Sequence, residues 1–494
     1  MVTGTPHQNY MYDAIVLGSG LGGLIAGTFL AKGQLRVLLL KEKKYQSSYH
    51  EKGYRFVPFT NLSEKIVKRS LLKRVSKDLG FHLLGDLEGA KEGETKLRKA
   101  KERPPFQVIL PKARIDLFAE RSMLERELKR EFPKEIAQIE DFYNEMDEIH
   151  RLLNRERAGE VPQTFFPFQT RSWVKKLWPF KTLPKDTIDQ RLAPFSREFK
   201  EFIRLQLLSW SNLCSDHLPI SLVNYLLIHE GEDDRFIGMD LWRLEEKIFE
   251  KFLQYNGRIA EVEGIEKIHR GLRRGFTLTG RGDGQVFRSK FLIINSPLQR
   301  LSAFLGRRAR FLSKWTNRIQ TRYMVLPLFL GIRENVVPVG MKNLLVSILD
   351  LNKPYEGGNL LFLRLSEKGD EREAPEGRRA VTVESLVGSD QYDLDLLGEH
   401  RKGVMRHLSH LFPFLEEHIE FSSWDWAREQ ISCWSYPHFL YETASGFEWR
   451  EGIVPHRISK NLYLTGRESL PYLGTEGEVL SGLIVGKKIL EKYS

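Results

Sequence analysis

The chain has 494 residues, 41% apolar and 29% charged, with a formal net charge of +11. This length calls for two or three intertwined domains, and the globular balance excludes a disordered chain. The positive charge favours anionic partners, but no recognition motif for nucleic acid accompanies it, so specific nucleic-acid binding is excluded. Cys214 and Cys433 are the only cysteines. Without paired Cys or Cys/His spacing they exclude a disulfide framework and a metal site, and read as two buried free thiols in a reducing compartment.

The opening residues, MVTGTPHQNYMYD, carry no basic n-region and no apolar h-region, so no secretory signal is expected. Residues 14–31 are uncharged and long enough to approach a membrane span. Their glycines and the preceding apolar run favour a strand–turn–helix unit instead. YDAIVLG reads as a strand buried on both faces, SGLGGLIAGTFLAKG as a helix stopped by Gly33 in a C′ position, and LRVLLL as a second strand.

A charged patch at residues 88–103 reads as a loop, and residues 106–118 as a hairpin. Residues 120–156 read as two helices broken at Pro133. Residues 195–230 are largely helical. LWRLEEKIFEKFLQYNGRI is an amphipathic helix stopped at Gly257 and leading into a strand, and short strands with glycine turns follow to residue 296. Residues 320–390 are rich in strands. The C-terminus returns to strand, glycine turn and helix in NLYLTG and VLSGLIVGKKILEKY.

GSGLGG, residues 18–23, lies between strand and helix. Gly18 permits the tight turn, Gly20 lets backbone approach a diphosphate, and Gly23 allows close packing of helix on strand; Ser19 and Gly22 complete the loop. The helix N-terminus presents free N–H groups to phosphate oxygens. An acidic residue is expected about 20 residues on, to bond a ribose hydroxyl. Lys41 holds that place and Glu42 follows it. Adjacent strand residues face opposite ways, so Glu42 serves only if the strand ends early or bulges; Lys41 would otherwise meet a phosphate.

These motifs together resemble the flavin-dependent amine oxidase/phytoene desaturase superfamily, and most closely its branch of carotenoid desaturases, carotenoid isomerases and retinol saturases. YDAIVLGSGLGGLIAGTFLAKG is similar to the family's opening, KGYRFVPF to its next strand, and NLYLTGRESLPYLGTEGEVLSGLIVGKKIL to its closing flavin motif. The resemblance implies an α/β fold: a Rossmann-type FAD-binding domain assembled from residues 10–62, 236–300 and 441–494. An inserted α+β substrate domain from 63–235 and 301–440 would carry a helical cap.

It also implies FAD as cofactor, held by Gly18, Ser19, Gly20, Gly22, Gly23, Lys41 or Glu42, the backbone of Ile265, and Gly466, Arg467, Glu468, Gly474, Thr475, Glu476 and Gly477. Three departures stand out: Lys41 replaces the acid after the second strand, the usual Gly-Gly-Arg loop is missing, and Arg467 replaces the acid after Gly466 while Glu468 follows. The expected activity is hydride transfer between flavin and a long isoprenoid or carotenoid-like substrate. An amine oxidase acting on a small amine, and a non-catalytic binding or scaffold protein with a degenerate site, remain open beside it. Catalytic candidates are Tyr436, His438 and Tyr441, an aromatic set for which ordinary core packing is the simpler account. Residues 164–185, TFFPFQTRSWVKKLWPFKTLPK, mix aromatics with cations and no acid, the composition of a membrane-contacting segment. The expected location is cytoplasmic, peripheral on the inner face of a membrane, where an apolar substrate would be reached.

Overall fold

A computed structural model describes residues 11–58, 67–81, 106–118, 120–158, 186–214, 217–228, 235–236, 241–271, 275–282, 284–297, 300, 319–389, 397–434, 436, 439–443 and 456–493. The first βαβ unit forms as its pattern dictates. Strand β1 (Met11–Leu17) and strand β2 (Val37–Glu42) are apolar runs, and helix α1 (Leu21–Lys32) joins them. β1 pairs in parallel with β2 on one side and with the strand Val286–Ile294 on the other. The strands Arg258–Val262 and Leu462–Leu464 extend this parallel set at its two ends. Val286–Ile294 is long enough to serve twice, because its first half also closes an antiparallel meander with Phe276–Gly280 and Ile265–Arg270.

α1 carries no charge before its last residue and is buried nearly all round. It lies against the closing helix Gly474–Tyr493 and the helix Leu241–Gln254. The stop at Gly33 differs from the expectation. Gly33 has φ −76°, and Gln34 is the residue in the left-handed region, at φ +64°. Gly33 packs against the closing helix: a Cβ there would lie 2.5 Å from Leu490 Cδ2, the movable end of that side chain.

The second sheet holds the strands Phe106–Leu110, Ala113–Leu117, Ile319–Arg333, Leu344–Ile348, Leu360–Leu365, Arg378–Gly388, Ile419–Ser423 and Phe439–Thr443. The expected hairpin over 106–118 forms, and the helices Arg121–Glu131 and Ile136–Ala158 flank the Pro133 break. Alternation along the strands gives this sheet two apolar faces. Leu328, Leu330, Val381 and Val383 pack against Val404 and Leu408 of the helix Leu397–Leu411. Val325, Phe329, Ala380 and Leu386 face the other way and join the core of the first sheet. Among the described residues no helix is long and apolar enough to cross a membrane. The aromatic, cationic segment 164–185 lies outside the described residues.

Candidate functional site

The glycine loop is built for close approach. Gly18 has φ +100°, and its N–H donates to Leu40 O at 3.0 Å, which ties the loop to β2. A Cβ on Gly18 would lie 2.3 Å from Asn295 O, and one on Gly23 2.9 Å from Asn295 Cβ. Ser19 and Gly20 are half-buried at the mouth of the loop, and Gly20 caps α1 without a side-chain partner.

The chain's far end closes over this loop. Thr465 N–H donates to Ile294 O at 2.9 Å, which sets Gly466 beside the loop. Gly466 has φ +109°, and its N–H donates to Ser481 Oγ at 2.9 Å. Two short 3-10 turns, Arg467–Ser469 and Pro471–Leu473, lead to Gly474 at φ +52°, where the closing helix starts as expected. Gly477 is needed there, since its Cβ would meet Leu470 O at 2.3 Å.

Glu42 and Lys41 separate cleanly. β2 keeps an unbroken parallel register, with Lys41 opposite Glu261 and Glu42 opposite Val262. The strand therefore neither ends early nor bulges, contrary to the condition set for Glu42. Glu42 is nonetheless 7% exposed, while Lys41 is half-buried on the opposite face. A parallel sheet covered on both faces buries either side of its strands, so direction alone did not exclude Glu42. Ile265 is buried three residues beyond Val262, and so falls near the same end of the sheet. Cys433 shares this environment: burial raises its thiol pKa to about 12, and the Glu42 carboxylate adds to the effect. Tyr45 is also buried, and burial, followed by the charges of Glu245 and Glu478, pushes its phenol well up. Cys214 is only half-buried and donates its thiol to Tyr441 O, so the expectation of two buried thiols holds for Cys433 alone.

Arg467 and Glu468 do not act as neighbours in one contact. Arg467 Nε pairs with Glu478 Oε2 at 3.1 Å, both side chains 8% exposed. Glu478 Oε1 in turn accepts the N–H of Gly22 at 3.2 Å. Glu468 turns to the second sheet, where Tyr441 OH donates to its Oε1 at 2.5 Å. Glu468 therefore does not slip into the place of Arg467 at the glycine loop. Glu476 accepts from Tyr225 OH at 2.9 Å. The hydroxyls of Thr465, Ser469 and Thr475 are buried and have no hydrogen-bond partner among the described residues.

Of the aromatic candidates, Tyr436 is fully buried and its OH donates to Val325 O at 2.7 Å. Its ring packs on Trp426 and Phe439, a core role. Tyr441 is committed to Glu468. His438 lies outside the described residues. Asn295, Tyr45, Glu478 and Ser481 were not singled out from the sequence. The signal for the last two was present: they stand three apart in the mostly apolar stretch 478–485, and so share a face of the helix.

No protein-family model matches the chain, and no curated protein does. Solved structures do. Wild-type putrescine oxidase bound to putrescine is 13% identical, covers 98% of this chain and 99% of its own, and superposes with a TM-score of 0.59. Cyclohexylamine oxidase from Brevibacterium oxydans IH-35A is 14% identical over 98% of this chain and 100% of its own, with a TM-score of 0.56. A Rab GDI from Plasmodium falciparum is 11% identical over 96% and 97%, with a TM-score of 0.50. The expected α/β architecture of discontinuous Rossmann-type pieces with an inserted sheet domain is thus the fold of this chain, and it shares that fold with two amine oxidases.

Proposed function

We propose that the chain is an FAD-binding oxidoreductase acting on an amine. The observation that carries this reading is the cradle that joins GSGLGG to the closing motif across 456 residues of sequence. Its residues suit the cofactor in three ways. The loop glycines leave no Cβ between backbone and a diphosphate. Glu42, buried at the end of β2, would accept from ribose hydroxyls. Thr465, Ser469 and Thr475 offer buried hydroxyls with no partner among the described residues, around the start of the closing helix, a place suited to the polar edge of a flavin ring. Two groups conflict, the Glu478 carboxylate on the loop and the Asn295 amide over Gly20.

Bound there, FAD supplies an acceptor for a hydride from the substrate carbon. The chain supplies binding, orientation and a dry enclosure. Glu468 is held by Tyr441 and Glu476 by Tyr225, so the carboxylates beside the helix start are fixed in place. The second sheet turns Glu384, fully buried in mid-strand, toward the shared core. A carboxyl group on that face makes the wall polar, which suits an amine better than a hydrocarbon. The amine oxidases that share the fold agree with this choice. The isoprenoid alternative draws on the apolar, basic segment 164–185 and would instead use membrane contact there.

A second reading, a non-catalytic binding protein, is favoured by Glu478 on the loop and by the same fold in a Rab GDI. Purification with added FAD separates them. A yellow protein whose flavin is bleached anaerobically by putrescine or cyclohexylamine meets the proposal. Bleaching by retinoids or carotenoids alone replaces the substrate class, and a colourless protein that takes up no FAD overturns the enzyme reading.

A further inference from the structure

We infer that the Arg467–Glu478 pair is an internal stand-in for the cofactor's diphosphate, which a dinucleotide must displace in order to bind. The inference rests on the FAD reading above and deepens it. A helix N-terminus after a glycine loop is an anion site, because its N–H groups lack intrahelical partners and its dipole is positive there. In this chain the anion is already present. Glu478 Oε1 accepts the Gly22 N–H at 3.2 Å, and it would lie 3.1 Å from a Cβ on Gly20.

The carboxylate is locked from three sides. Arg467 Nε holds its other oxygen at 3.1 Å. Ser481 Oγ donates to the Glu478 carbonyl at 2.7 Å and accepts from Gly466 N–H at 2.9 Å, which fixes the helix turn against the loop. Asn295 fills the adjoining space, with Oδ1 at 2.2 Å from the Gly20 Cβ position. Gly22 itself could carry no side chain there, since its Cβ would meet Glu478 O at 2.9 Å and Gly466 N at 3.1 Å.

A diphosphate placed on these N–H groups would face a buried carboxylate, so the two anions exclude each other. Arg467 supplies the exchange. The guanidinium that neutralises Glu478 is the natural partner of a phosphate oxygen once Glu478 turns aside. This gives a physical account of the basic residue after Gly466, where an acid is expected. Arg467 pairs with one anion at a time, the carboxylate in the empty site or the diphosphate in the filled one.

The test is the binding of FAD and, separately, of ADP to the full chain by calorimetry at fixed salt. Wild type is compared with Glu478→Gln and with the double variant Arg467→Gln/Glu478→Gln. The double variant removes both buried charges, so it keeps the experiment usable if the single variant unfolds. The inference expects both ligands to bind at least tenfold tighter to Glu478→Gln than to wild type, and the double variant, which lacks the Arg467 contact to the diphosphate, to bind tighter than wild type but more weakly than Glu478→Gln. Tighter ADP without FAD binding supports the stand-in and overturns the FAD reading. Equal FAD affinity in wild type and variants keeps the FAD reading and overturns the stand-in. No binding of either ligand by any form overturns both.

Discussion

The glycine cradle and the seam beneath the second sheet both bury polar groups, but in opposite ways. At the seam, the helix Leu397–Leu411 sets His400 and His407 seven residues apart on one face. His400 Nε2 lies 2.8 Å from Ser385 Oγ, and His407 Nε2 lies 2.8 Å from Ser347 Oγ. His407 Nδ1 is satisfied by Gly358 O at 2.8 Å. These partners are neutral and matched. At the cradle ionisable groups stand among the neutral ones: Glu42, Arg467, Glu468, Glu476 and Glu478, all under a tenth exposed. Neutral pairs complete a core at low risk, whereas buried charge must be compensated at every atom. A fold that only had to be stable would use the first solution in both places. The ionisable groups at the cradle suit the exchange of ionic partners proposed above.

Acid is the strongest way to break the seam. Burial lowers the pKa of His400 and of His407 to about 4, with the Arg401 cation adding to the effect on His400. Both folded values are depressed below the ordinary 6.5, so the unfolded chain binds protons first. The stability they lend is fully present above pH 6.5 and lost as pH falls toward 4, about 3 kcal/mol for each histidine as an upper figure. Urea titrations between pH 7 and 4 should show this slope, and replacing both histidines by Phe should flatten it.

The cradle breaks by losing one ion of a pair. Arg467→Met leaves Glu478 buried without its cation and should cost about 3–5 kcal/mol of unfolding free energy. Urea midpoints at neutral pH check it, and Glu478→Gln added to that variant should recover most of the loss.

A smaller effect sharpens the assignment at β2. Glu42→Gln should weaken FAD binding about tenfold, the worth of one charged hydrogen bond, while Lys41→Ala leaves it within about twofold. Calorimetric titration with FAD measures both, and the reverse order would return the ribose contact to Lys41. The smallest effect is expected at Tyr436→Phe. Its hydroxyl serves Val325 O, so about 1 kcal/mol of stability should go while turnover of any substrate stays unchanged.

Much of the fold was legible because its signals are local. The period of YDAIVLG, the glycines after it, the Pro133 break and the 106–118 hairpin each depend on residues within a few positions. The glycine loop and the start of the closing helix were legible for the same reason. The partners of Glu478 were not. Gly22 and Glu478 are 456 residues apart, and nothing along the chain states that a carboxylate on the last helix will reach the first. The helix does end at Gly33, but the left-handed angle expected there falls on Gln34.

By itself, the sequence determined that this chain folds as strand, glycine loop and helix at its opening, and that a matching element closes it, since hydrophobic period and turn chemistry are local properties. Only the tertiary structure decided that Glu42 rather than Lys41 is enclosed, that Arg467 holds Glu478, and that a carboxylate of the last helix lies on the glycine loop. Those outcomes depend on which distant surfaces meet when the two ends of the chain close on each other, and burial is what gives charge its cost and its meaning there.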